Sequence, residues 1–161
     1  MTQRVLIVDD DPQMNQTLAA ICTHFGYTTD TVLSGTEALE RLSQTHFICM
    51  LTDIHMPQMN GLELFEKVRQ SYPELPVILM TGSVDSTLIG QGRAAGATEV
   101  MEKPLDLPYL LKMLAALRSE NSVAIVDDDP GFARTLQSML ERQGKETAVY
   151  GDMASFLGNE T

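Results

Sequence analysis

No run of apolar residues in this chain approaches the ~20 that a membrane-crossing helix requires. The opening Met1-Thr2-Gln3-Arg4 leads straight into a strand-like run with no secretory signal pattern. A cytoplasmic protein without membrane contacts is expected. Basic residues are scarce: 11 Lys and Arg stand against 22 Asp and Glu, a formal charge of −11. Such a surface repels phosphate backbones and anionic lipid heads, which argues against direct nucleic-acid binding. Only two cysteines occur, Cys22 and Cys49, both in apolar stretches and without metal-ligand spacing, so reduced core thiols are expected rather than a disulfide or a zinc site. What remains is ordinary for a globular protein: 161 residues, 43% hydrophobic and 20% charged. That suffices for one domain and the start of a second, and excludes a multi-domain enzyme.

Short β-rich apolar runs alternate with segments of helical period, the pattern of parallel βα units. Strands are expected at 5–8, 27–33, 47–52, 77–80 and 99–101. Asp11-Pro12 supplies an N-cap and a first-turn proline for a helix closed by Gly26. Ser34 with Glu37 forms a capping-box pattern for the next helix. Helices are also expected after Gly61, over 85–95 and over 107–118. The third strand is apolar throughout and must be paired on both edges, which favours a doubly wound parallel sheet with helices on both faces.

From residue 122 the chain repeats its own beginning at an offset of 118, most plainly in Val123-Ala124-Ile125-Val126-Asp127-Asp128-Asp129-Pro130, with ten of 23 aligned positions identical between 4–26 and 122–144. The division is therefore 1–119 for a complete domain and 120–161 for a truncated βαβ unit with the start of a helix. About forty residues seldom fold unaided, so this unit either rests on a neighbour or belongs to a longer parent.

In an open parallel sheet, ligands gather beyond the carboxyl ends of the strands. The polar residues fall there: Asp9 and Asp10 after the first strand, Asp53 after the third, Thr81 after the fourth, Lys103 after the fifth. Three crowded carboxylates repel one another unless a cation is present, and an oxygen-only cluster suits Mg²⁺. The plainer alternative makes the acids helix caps and Lys103 a surface charge, and it fits Asp11 best.

The ordered motifs Val8-Asp9-Asp10-Asp11-Pro12, Thr52-Asp53-Ile54-His55-Met56-Pro57 with Asn60-Gly61, Met80-Thr81-Gly82-Ser83, Gly96-Ala97 and Lys103-Pro104 resemble the response-regulator receiver domain of two-component phosphorelay signalling. The resemblance covers residues 4 to about 118. It implies a flavodoxin-like fold with five parallel strands in the order 2-1-3-4-5, plus the partial βαβ unit. By resemblance, Asp53 accepts the phosphoryl group. Asp10, Asp53 and the backbone carbonyl of His55 hold Mg²⁺, or Mn²⁺ in its place, and Asp9 acts through a metal-bound water. Lys103 pairs with Asp53, the Thr81 hydroxyl meets a phosphoryl oxygen, and the peptide bond before Pro104 is cis. The implied partners are a sensor histidine kinase or a histidine phosphotransfer protein, and an output domain or partner protein. A homodimer through the incomplete unit is a further expectation.

One departure is Val100, where receivers often carry an aromatic ring three residues before the lysine; a β-branched side chain cannot make the same excursion. His55 either tunes the lifetime of an acyl phosphate or is a solvated loop residue. A Mg²⁺-dependent phosphatase with an aspartyl nucleophile would need a second acid where His55 stands, so a true enzyme is not expected. A non-phosphorylated scaffold is the other alternative.

Overall fold

The protein is described from a computed structural model covering residues 3–82, 86–120 and 122–158. Ser83 and Asp85, at the end of the fourth-strand motif and the expected start of the fourth helix, lie outside those residues. The chain divides into two compact units, residues 2–115 and 116–161.

In the first unit β1 (Arg4–Val8), β3 (Cys49–Asp53) and β4 (Val77–Thr81) are nearly continuous apolar runs, and they occupy the middle of the sheet. The more polar β2 (Thr28–Val32) and the short β5 (Glu99–Glu102) take the edges. The sheet is parallel, in the order β2-β1-β3-β4-β5. Between the strands run α1 (Pro12–His24), α2 (Gly35–Gln44), α3 (Gly61–Ser71) and α4 (Ser86–Ala94), and α5 (Leu107–Glu120) follows β5. The chain changes direction after β2, so right-handed crossovers set helices on both faces, with the switch point between β1 and β3.

Leu6, Val8, Met50 and Leu79 from the strands meet Leu64 and Phe65 of α3 in one buried cluster. Each such side chain contributes about 1.5–3 kcal/mol of transfer free energy. Cys22 and Cys49 are free and buried, and burial pushes the Cys22 thiol up to about 11. No described helix is long and apolar enough to cross a membrane.

The caps refine the expected boundaries. Asp11 accepts the Gln13 N–H at 2.9 Å and Pro12 opens α1. At α2 the Ser34 hydroxyl accepts the Glu37 N–H at 3.3 Å, but the Glu37 carboxylate takes the N–H of Leu33 rather than that of Ser34. The reciprocal capping box lies instead at α3, between Asn60 and Glu63. The third strand starts at Cys49 and includes Asp53, so Phe47 falls outside it.

In the second unit, β6 (Ser122–Val126) pairs in parallel with β7 (Glu146–Tyr150), with α6 (Pro130–Arg142) between them and α7 (Met153–Leu157) after them. Asp129 caps α6 through the N–H groups of Gly131 and Phe132.

Candidate functional site

The ends of four adjacent strands, β1, β3, β4 and β5, converge. Asp9 follows β1 with its backbone N–H still donating to the Val32 carbonyl at 3.3 Å, and it is only 1% exposed. Its Oδ1 accepts the Asp11 N–H at 2.9 Å and its Oδ2 accepts from the Lys103 ammonium at 2.7 Å. Asp10 faces solvent, and Asp11 serves as the cap of α1. Asp53 ends β3, buried, with its Oδ1 3.0 Å from the same ammonium. Carboxylate oxygens of Asp9, Asp10 and Asp53 lie within 4.8 Å of one another.

Lys103 is held by backbone as well as by charge. Its N–H donates to the Thr81 carbonyl at 2.7 Å, tying the ends of β4 and β5 together, and its peptide bond to Pro104 is cis. Thr81 is fully buried. The lysine does not serve Asp53 alone, as the resemblance implies, but bridges Asp9 and Asp53, with the shorter contact to Asp9. Burial by itself would lower the lysine pKa; the hydrogen bonds and charges of the two aspartates outweigh it and hold the ammonium above its ordinary value. Burial likewise raises Asp53, opposed by the hydrogen bond and charge of Lys103, reinforced by Asp9 and eased by His55. His55 itself is exposed.

Two further residues shape this site: Asn15, which sequence reasoning passed over, and Gly61, which it placed in the motif after Asp53 without giving it a role. Asn15 sits on the buried face of α1 with Leu18 and Cys22, and its Nδ2 donates to the carbonyls of Asp9 at 2.9 Å and Val32 at 3.0 Å. It sutures the end of β1 to the end of β2. The available signal was a polar residue in phase with an apolar helix stripe. Gly61 begins α3 against the Asp53–Ile54 backbone: a Cβ there would collide with the Asp53 carbonyl oxygen and stand 2.8 Å from the Ile54 Cα. Only glycine lets α3 start that close to β3.

Val100 is buried in the core cluster. Gly92 of α4 lies so near that a Cβ would come within 2.9 Å of Val100 Cγ2 and 2.7 Å of Leu79 Cδ1.

The donor set fits a hard divalent cation. Three carboxylates face one ammonium, leaving an excess of two negative charges, and every offered side-chain ligand atom is oxygen.

The model of the response regulator receiver domain matches residues 5–115, and the chain belongs to this family. It is 28% identical over 163 residues to the transcriptional regulatory protein CrdR of Helicobacter pylori, covering 90% of this chain and 76% of that protein. It is 32% identical over 117 residues to the response regulator MprA of Mycobacterium ulcerans, covering 73% of this chain and 50% of that protein. Among solved structures, the chemotaxis response regulator CheY4 of Vibrio cholerae superimposes with a TM-score of 0.65 at 30% identity, over 73% of this chain and 99% of that one. Receiver domains of this family are generally phosphorylated on an aspartate, take their signal from kinases and act on output domains.

Proposed function

We propose that residues 1–119 are a phosphorylatable switch in which Asp53 accepts a phosphoryl group from a phosphohistidine, carried by a sensor histidine kinase or a histidine phosphotransfer protein. The N–P bond of the donor breaks as an O–P bond forms on Asp53. The observation that carries this reading is the carboxylate of Asp53 at the strand end, held between the Lys103 ammonium at 3.0 Å and two further acids. Asp10 and Asp53, with the His55 carbonyl, would hold Mg²⁺ or Mn²⁺, and Asp9 would act through a metal-bound water. A divalent ion there supplies positive charge against the carboxylates and the equatorial phosphoryl oxygens.

Lys103 supplies the remaining positive charge, and its pairing with Asp9 presents the ammonium at the mouth of Asp53. Thr81, clamped to Lys103 through its carbonyl, would donate its hydroxyl to an oxygen that arrives only with the phosphoryl group, so the ends of β4 and β5 read the modified state. The output is then a domain or partner protein that distinguishes the two states, in the cytoplasm. The protein turns over no separate substrate. Residues 120–161 are the first third of a second receiver, which places the chain in a tandem regulator that also associates as a homodimer.

The test is incubation with acetyl phosphate, with and without Mg²⁺, followed by intact mass. One phosphoryl group, gained only with Mg²⁺ and absent in Asp53→Ala, is expected. No gain by a folded protein would favour a non-phosphorylated scaffold.

A further inference from the structure

The loop that carries the His55 carbonyl is fastened at several points. It leaves β3 through Ile54, whose N–H donates to the Met80 carbonyl at 2.8 Å, and it closes where the Gly61 N–H donates to the Ile54 carbonyl at 2.9 Å. Between these points His55, Pro57 and Gln58 are exposed. Gln58 keeps a left-handed φ of 68°, a conformation that a residue with a Cβ holds only where its surroundings fix it. The Met59 N–H turns back to the Pro57 carbonyl at 2.8 Å. Two side chains turn inward: Met56 is buried, and Met59 is half-buried against the core cluster.

Gly35 shows what Met59 rests on. It is the buried first residue of α2 and is not one of the left-handed glycines, so its backbone conformation does not call for glycine. A Cβ there would nonetheless stand 2.7 Å from the Met59 Sδ, 3.2 Å from its Cγ and 3.3 Å from its Cβ. The last of these atoms is fixed by the backbone, so the methionine could not simply turn aside. Glycine at 35 therefore serves the close approach of Met59. Three residues before it, the Val32 carbonyl accepts the Asp9 N–H at 3.3 Å and the Asn15 Nδ2 at 3.0 Å. The residues between are held as well: the Leu33 N–H donates to one Glu37 carboxylate oxygen at 3.3 Å, and the Ser34 hydroxyl donates to the other at 3.1 Å. One corner of the chain is thus tied to Asp9, another carries Asp53 and His55, and Met59 seated on Gly35 joins the two.

We propose that Met59 is a positioning residue for divalent-cation binding: seated on Gly35, it fixes the loop that presents the His55 carbonyl relative to the corner that holds Asp9. This role rests on the reading of Asp9, Asp10 and Asp53 as a Mg²⁺ site, and it names a residue that sets the affinity of that site. Mg²⁺ demands near-ideal octahedral geometry, so a backbone carbonyl on an exposed loop serves as a ligand only where the loop is held. A thioether suits the task. It is unbranched and fills an irregular gap, and its soft sulfur does not compete with oxygen for a hard cation.

Urea denaturation of the whole chain at stepped Mg²⁺ concentrations tests the role, because it yields the metal-free stability and, from the added stabilisation, the Mg²⁺ Kd. Met59→Ala should weaken that Kd about tenfold, as the loss of a group that orients a ligand does. Met59→Leu keeps the volume and should stay within about twofold of the parent. Val68→Ala, in α3 and the same buried cluster, should lower metal-free stability and leave the Kd unchanged, which separates positioning from a general loosening of the core. Gly35→Ala reads the contact from its other side should Met59→Ala fail to fold: it too should weaken Mg²⁺ binding. Its cost in metal-free urea should shrink when it is combined with Met59→Ala. Met59→Ala binding Mg²⁺ as tightly as the parent, Met59→Leu binding as weakly as Met59→Ala, Val68→Ala losing as much affinity as Met59→Ala, or additive costs of the Gly35 and Met59 substitutions would each overturn the role of Met59 and leave the metal site standing. A parent that Mg²⁺ does not stabilise would overturn the reading of the site, and the role of Met59 with it.

Discussion

The ammonium of Lys103 stands 2.7 Å from Oδ2 of Asp9, closer than to Asp53, and the Asp9 side chain is only 2% exposed. Two buried carboxylates thus share one cation. Lys103→Met should leave both uncompensated and destabilise the metal-free protein by about 3 kcal/mol. Urea denaturation measures the loss, and saturating Mg²⁺ should recover part of it.

Metal binding gives a second expectation. Asp10 is exposed, so Asp10→Ala should barely change stability without metal. In the parent, Mg²⁺ at ten times its Kd should add about 1.4 kcal/mol, and in Asp10→Ala that increment should nearly vanish. Melting curves at stepped Mg²⁺ concentrations test both halves.

The acid range separates Asp53 from its neighbours. Burial raises its folded-state pKa, so its contribution to stability is full below the unfolded-state pKa and is lost as pH rises through the folded-state value. Asp53→Asn removes that loss. In metal-free buffer the variant should gain on the parent as pH rises from the unfolded-state to the folded-state value of Asp53, with the difference constant above the latter. Denaturant titrations across that range measure the difference.

Asn15→Leu should strand the Asp9 carbonyl and take from the Val32 carbonyl one of its two donors, leaving it the Asp9 N–H, at about 1–3 kcal/mol. Because Asp9 loses an anchor, phosphoryl uptake should also slow. Stopped-flow with a small phosphodonor would read that second effect independently of stability.

Gly61→Ala should cost about 3 kcal/mol, because its Cβ would collide with backbone at Asp53 and Ile54 rather than with a side chain that can turn aside. Chemical denaturation measures it.

Much of this arrangement is legible in the sequence, because apolar runs that end in Asp9, Asp53 and Thr81 announce buried parallel strands and their chemically active ends together. The repeat is legible for the same reason: Asp127, Asp129 and Pro130 keep the spacing of Asp9, Asp11 and Pro12. What escaped depends on contacts distant in sequence or on local backbone. The Lys103 to Asp9 bond joins residues 94 apart, and spacing alone does not say which aspartate a lysine meets first. Asn15 looks like a surface residue of α1 until β2 is placed beside it. Gln58 takes a left-handed conformation at φ 68°, which its side chain does not announce. The true capping box at Asn60 and Glu63 was visible in spacing, yet it lay behind the turn signal of Asn60-Gly61.

The most direct measurement concerns the residue that carries the phosphoryl group. After Mg²⁺ and acetyl phosphate, borohydride reduction converts an aspartyl phosphate to homoserine, which peptide mass spectrometry locates. Homoserine at position 53 and nowhere else is the expected result. Homoserine at Asp10 or Asp127, or none in a protein that remains folded, would contradict the assignment of Asp53.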